Sequence, residues 1–149
     1  MKISKLISGG QTGVDRAALD FALDNQITCC GWCPKGRIAE DGIIPIKYPL
    51  TETSGSDYRV RTNLNVNDTD GTLIFINGYM DEGTKFTMDT ADDLKKPCFI
   101  YDFSKTPEKE KLLNWLSENK IKILNIAGPR ESNSVGIYGL VYDVLNKIF

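Results

Sequence analysis

Two strings in this sequence carry the residue types best suited to holding an anion. The first is Ser8-Gly9-Gly10-Gln11-Thr12-Gly13-Val14-Asp15-Arg16, which joins an apolar run to a helical stripe. Its glycines let backbone approach a ligand closely, and exposed amides at a helix start favour phosphate. The spacing is neither G-x-G-x-x-G nor a Walker loop. The competing reading is a tight turn, with Thr12 as N-cap and Asp15 closing a capping box. The second string is Asn77-Gly78-Tyr79-Met80-Asp81-Glu82-Gly83-Thr84-Lys85-Phe86-Thr87. Gly83-Thr84 offers another bare helix start, with the Thr84 and Thr87 hydroxyls one turn apart. Ordinary capping explains this string equally well.

Cationic side chains cluster in loops rich in glycine and proline: Lys35, Arg37, Arg59, Arg61 and Arg130. Guanidinium groups grip phosphate as a fork. Each arginine taken singly is a solvated surface charge, and only their shared placement argues for a site. The carboxylates near these loops are Asp15, Glu40, Asp41, Asp81, Glu82 and Glu131. Glu40, Asp41 and Glu131 are candidates for a general base. Asp15 belongs near a ribose, a metal or an arginine. Trp32 and Tyr79 lie in candidate loops and are placed to stack on a base, with core packing as the default.

Composition excludes much of the remaining chemistry. The chain has 149 residues, 18 Lys plus Arg, 20 Asp plus Glu and no histidine. Without histidine there is no Ser-His-Asp triad, no Cys-His pair and no His-based zinc site. The net charge of −2 argues against general nucleic-acid binding, which needs a concentrated basic surface. Cys30 and Cys33 form a C-x-x-C, flanked by Cys29, with Cys98 distant. Pro34-Lys35-Gly36 follows where a redox pair would want a helix start, so buried, unreactive thiols are the better expectation. Neither zinc nor haem is expected.

These residues need a scaffold. Short apolar runs at 3–8, 27–31, 73–76, 98–101 and 121–127 alternate with helical patterns. Val14, Ala17, Ala18, Phe21 and Ala22 form one stripe; Ile137, Leu140, Val141, Val144, Leu145 and Ile148 form another. Helices are also expected over 84–94 and over 107–118, the latter with Pro107 at its first position and Thr106 as N-cap. The expectation is one domain over 1–149. It is α/β, with a doubly wound, mostly parallel, Rossmann-like sheet of about five strands and helices on both faces. Residues 32–70 form an irregular segment near the cleft, with a short helix over 58–66. A strand order 2-1-3-4-5 would set the two glycine loops side by side. No run is long enough to span a membrane, and Met-Lys-Ile-Ser-Lys is too charged for a signal peptide, so a cytoplasmic protein is expected.

The string from Ser8 to Asp20 resembles the signature of the molybdenum carrier family. Further matches are Gly31-Trp32-Cys33-Pro34-Lys35-Gly36-Arg37, Ala39-Glu40-Asp41-Gly42, Tyr58-Arg59 with Arg61-Thr62 and Asn65-Val66, Gly83-Thr84-x-x-Thr87, Lys96-Pro97, and Asn125 through Ser132. That family is similar to the wider Rossmann-like SLOG, or lysine-decarboxylase-like, superfamily. The resemblance implies a nucleotide-like phosphorylated ligand, with the molybdenum cofactor or a nucleotide as the bound group. On this reading Gly9, Gly10, Gln11, Thr12, Gly13, Asp15, Arg16, Lys35, Arg37, Arg59, Arg61, Gly83, Thr84, Thr87, Arg130 and Ser132 meet the ligand. Phosphoribohydrolase relatives carry a catalytic Glu where this chain has Thr87, which favours binding over N-glycosidic hydrolysis. The alternatives are a nucleotide-processing hydrolase and a store for molybdate or another oxyanion. The expected partner is a phosphorylated small molecule, with no membrane and no general nucleic-acid binding; a protein partner is not specified.

Overall fold

The computed structural model describes residues 2–149. In chain order its elements are β1 (Lys5–Ile7), α1 (Val14–Asp24), β2 (Thr28–Cys30), β3 (Trp32–Cys33), β4 (Ile38–Ala39), β5 (Gly42–Ile43), β6 (Thr51–Glu52), α2 (Tyr58–Asn67), β7 (Gly71–Ile76), α3 (Glu82–Asp93), β8 (Cys98–Asp102), α4 (Lys109–Glu118), β9 (Ile123–Ala127) and α5 (Ile137–Ile148). Five of these strands form one parallel sheet in the order β2-β1-β9-β7-β8.

The expected order therefore needs one correction. The last strand does not sit at an edge but enters between β1 and β7. Burial explains its place: Leu124 and Ile126 of β9 are fully buried, as are Leu73, Ile74 and Phe75 of β7. The less buried β2 and β8 take the two edges. Right-handed crossovers then fix the helices. The β1-α1-β2 and β8-α4-β9 crossings run one way along the sheet, and those through α2 and α3 run the other. The helices consequently cover both faces, with α1 packed on α5 and α2 on α3.

Three helix starts also differ from expectation, and the first is α3, which begins at Glu82 behind Asp81 and not at Thr84. Helix α4 begins at Lys109 behind Glu108, so Pro107 lies outside it. The Asp102 carboxylate takes the N–H groups of Gly78 and Ser104 and turns the chain right after β8, and residues 103–108 cross over before the helix begins. Helix α1 has Gly13, not Thr12, at its N-cap, and the Asp15 carboxylate reaches back to the Gln11 N–H.

The segment 32–70 contains the expected helix, α2, and two small ladders: β3 with β6 in parallel and β4 with β5 antiparallel. Arg37 organises it by donating to the carbonyls of Ile44, Pro45, Tyr48 and Leu50. Lone loops of this length lack backbone partners, and one guanidinium here supplies four.

Candidate functional site

A cleft of about 560 Å³ opens where β1, β9 and β7 end. Open α/β sheets bind ligands at this place, where successive crossovers leave in opposite directions. Gly9 and Gln11 line it from the β1–α1 loop, Gly128 and Arg130 from the β9–α5 loop, and Tyr79 through Thr84 from the β7–α3 loop; Tyr58, Arg61, Thr62 and Asn65 face it from α2. The β9–α5 loop thus lies between the two glycine strings. Gly128 is required there: a Cβ would strike the Phe75 carbonyl and come within 2.6 Å of Val14 Cγ2.

The α3 start has unmet hydrogen-bonding capacity. Asp81 caps it, its Oδ1 accepting from the Thr84 N–H at 2.8 Å and its Oδ2 from Asn133 Nδ2 at 2.9 Å. The N–H groups of Glu82 and Gly83 have no protein partner among the described residues, as expected of a first turn. Thr84 is only 3% exposed, yet its hydroxyl is the one buried side-chain oxygen or nitrogen without a partner among the described residues. Burial alone would raise the Asp81 carboxyl. The Thr84 and Asn133 groups and the Arg130 charge more than offset this and hold it below the usual range. The Thr84 hydroxyl lies near enough to contribute to that field, but it meets neither carboxylate oxygen at bonding geometry. Thr87, at the position of the relatives' Glu, donates its hydroxyl to the Gly83 carbonyl.

The α1 start differs. Several of its amides are taken within the chain: Gln11 N–H on Asp15, Thr12 N–H on the Gln11 side chain, Val14 N–H on the Pro129 carbonyl and Arg16 N–H on the Gln11 carbonyl, while those of Gly13 and Asp15 have no protein partner among the described residues. Besides Gly9 and Gln11, this string contributes to the cleft Asp15, buried on α1, 3.8 Å from Arg61 Nη1. Burial pushes the Asp15 carboxyl up, while Arg61 and the Gln11 N–H pull it the other way without cancelling the rise. Arg61 occupies the space above Gly9, donating to its carbonyl, and Leu50 with Ile44 fills the space beside Gly10.

Of the residues expected to meet a ligand, the structure brings Gly9, Gln11, Asp15, Arg61, Gly83, Thr84, Thr87 and Arg130 to one cleft. Gly10, Gly13, Thr12, Arg16, Lys35, Arg37, Arg59 and Ser132 stand outside its lining. Arg16 binds Asp41 through both Nη atoms at 2.9 Å and lies over the Tyr48 ring. Arg59 pairs with Asp57, and Lys35 is exposed. The three candidate bases are also committed elsewhere. Glu40 accepts from Thr12 and Ser132, Asp41 from Arg16, and Glu131 from the Gly136 and Tyr138 N–H groups that start α5. Trp32 donates to Asp68, whereas Tyr79 lines the cleft.

Sequence reasoning missed Thr62, Asn65, Asn125 and Asn133 on the lining. A signal was present for the first two. Tyr58, Arg61, Thr62 and Asn65 recur at i, i+3, i+4 and i+7, so one face of α2 is polar where a core face would be apolar. Asn65 is further fixed by pairing with both backbone groups of Trp32.

Side chains charge the cleft with two cations, Arg61 and Arg130, against three carboxylates, Asp15, Asp81 and Glu82. It is therefore not an indiscriminate anion trap. Anion preference is confined to the α3 start and Arg130, the latter nearly half exposed with its Nε 3.9 Å from Glu40. All four cysteines are free thiols, and burial pushes those of Cys29, Cys33 and Cys98 up, away from thiolate character. Among the described residues no group of three or more Cys, Asp or Glu could hold a metal ion, and no helix is long and apolar enough to cross a membrane.

The fold and the cleft define a Rossmann-like α/β protein with a polar cleft at the carboxyl edge of a parallel sheet. The model of the circularly permutated YpsA SLOG family matches residues 6–149, so the chain belongs to that family. A solved structure named "Putative molybdenum carrier protein", from Syntrophus aciditrophicus SB, is similar at 45% identity and a TM-score of 0.95, covering 99% of this chain and 95% of that one. No curated protein matches the chain.

Proposed function

We propose that the cleft binds a phosphorylated, nucleotide-like small molecule, with its anionic group at the α3 start. The observation that carries this is the buried, unpartnered Thr84 hydroxyl beside two free helix amides. An unmet buried hydroxyl costs about 1–3 kcal/mol, and native structures rarely retain one without use. Phosphate oxygens would satisfy it, aided by the helix dipole and the Arg130 guanidinium. The name of the structural neighbour supports a molybdenum-related ligand, of which the molybdenum cofactor is the phosphorylated, organic form. In that case Thr84, the Glu82 and Gly83 N–H groups and Arg130 would hold the phosphate. The pterin would bring its own metal, in keeping with a lining that offers no cluster of metal ligands. The role is that of a cytoplasmic binding or carrier protein.

Binding without turnover is favoured because Glu40, Asp41 and Glu131 are tied into structure and Thr87 replaces the hydrolases' Glu. A bare oxyanion such as molybdate is the second reading, since the same amides and Arg130 would suit it. Thermal melts of the full chain with nucleoside monophosphates, a phosphorylated pterin, inorganic phosphate and molybdate test the choice. A melting temperature that rises with ligand concentration, as linkage requires, for the phosphorylated organic molecules supports the proposal. A rise with molybdate alone supports the oxyanion reading, and no rise with any of them refutes both.

A further inference from the structure

The cleft has a second polar end that the α3 start does not use. Asp15 and Arg61 face it from α1 and α2, with side chains only 9% and 14% exposed. Their 3.8 Å separation is long beside the roughly 2.7–2.9 Å of a charge-assisted hydrogen bond. Each is diverted to backbone: Asp15 Oδ2 accepts from the Gln11 N–H, and Arg61 Nη1 donates to the Gly9 carbonyl. Ser8, close to Asp15, gives its hydroxyl proton to the Ile126 carbonyl. Among the described residues, Asp15 Oδ1 and Arg61 Nε and Nη2 have no hydrogen-bond partner.

The unpartnered atoms keep access to the cleft, and charged side chains this enclosed gain when a bound group completes their hydrogen bonds. The group that would complete this pair donates to the carboxylate and accepts from the guanidinium through neighbouring atoms. Phosphate is disfavoured, because its negative charge is repelled by the carboxylate and most of its oxygens only accept. Vicinal sugar hydroxyls succeed, and so does the amide or amino-aza edge of a nucleobase or pterin. We propose that Asp15 and Arg61 form a second subsite for a neutral donor–acceptor group, through which the cleft selects a phosphorylated molecule with a polyol or heterocyclic body over a bare oxyanion. This rests on the reading of the α3 start as the anion site. The strands that lead to the two subsites, β1 and β7, are separated by β9, so those strands lie about 10 Å apart, two inter-strand spacings. One nucleotide-sized molecule spans that distance, and molybdate does not.

The test is calorimetric affinity of the full chain, and of Asp15→Asn and Arg61→Gln, for inorganic phosphate, ribose 5-phosphate, 2-deoxyribose 5-phosphate, adenosine monophosphate and guanosine monophosphate. Asn keeps an oxygen for the Gln11 N–H, so the loop is retained. The native chain is expected to prefer at least one organic phosphate over inorganic phosphate by tenfold or more. That ratio should fall at least fivefold in each variant. A preference present with ribose 5-phosphate and lost with the deoxy sugar assigns the diol; one that appears only with the nucleotides assigns the base edge. A ratio below two in the native chain overturns the inference with no variant needed. So does a ratio that Asp15→Asn and Arg61→Gln leave in place. In both cases phosphate binding survives, and the anion reading with it. Failure of every probe to bind the native chain removes that reading too.

Discussion

Replacing Thr84 by valine should move stability and affinity in opposite directions. The substitution keeps the side-chain shape and exchanges a hydroxyl for a methyl at a site 3% exposed. In the free protein it removes a buried, unpartnered donor, a penalty of about 1–3 kcal/mol. It adds a buried methyl worth about 0.8 kcal/mol. The Asp81 cap on the Thr84 N–H is untouched, and Thr and Val have similar helix propensity. After allowance for relaxation, a net gain of about 1 kcal/mol is expected, or roughly 2–4 °C in Tm for a chain of this size. Affinity for a phosphorylated ligand should instead fall by about tenfold to a hundredfold, the value of one hydrogen bond to a charged group. Thermal melts with and without ligand read both effects on one sample. A Thr84→Val variant that melts lower than the native chain would show that the hydroxyl is spent on Asp81, and the reasoning fails. Unchanged affinity beside higher stability would show that the hydroxyl never meets the ligand.

Arg130→Ala should weaken the same ligands by about tenfold, with a shallower salt dependence, measurable by titration at two ionic strengths. Gly128→Ala should lower stability by at least about 2 kcal/mol in denaturant melts, because its Cβ meets backbone that cannot give way. Arg37→Lys should destabilise by about 2 kcal/mol, since an ammonium cannot serve four carbonyls from one plane. Burial pushes the Glu40 carboxyl up, but hydrogen bonds from Ser132 and Thr12 and the Arg130 charge hold it below its ordinary value of 4.5. Its stabilisation is therefore complete above that value and lost as pH falls through the lower folded one. The Tm advantage of the native chain over Glu40→Gln should be present at pH 7 and shrink below pH 4.5.

How much of this was legible in the residues depends on the range of the forces involved. Local periodicity reported α1 and α5 directly, because burial on one face repeats at short spacing, and the apolar run 73–76 reported β7. Helix α2 was legible too, although the meaning of its polar face was not. The position of β9 was hidden, since nothing in Ile123–Ala127 names the strands beside it; only the summed burial of the assembled sheet puts it inside. The glycine strings illustrate a different limit. Sequence pointed to Gly9 and Gly10 as places where backbone is bare. It did not show that Arg61, Leu50 and Ile44 of the same chain fill that space. Arg16 and Arg37 were read as anion grips for the same reason: a guanidinium looks alike whether its acceptor is a ligand, an Asp41 carboxylate or a turn of backbone carbonyls. Thr84 lay in plain view as half of a Gly-Thr helix start, and its lack of a partner emerged only with the fold.

The most direct measurement is a crystal structure of the full chain soaked with a nucleoside monophosphate. The phosphate is expected at the start of α3, with one oxygen about 2.7–3.0 Å from Thr84 Oγ1, others on the Glu82 and Gly83 N–H groups, and Arg130 turned toward it. Phosphate bound instead at the exposed Lys35 or Arg59, with the α3 start bare, would contradict this expectation.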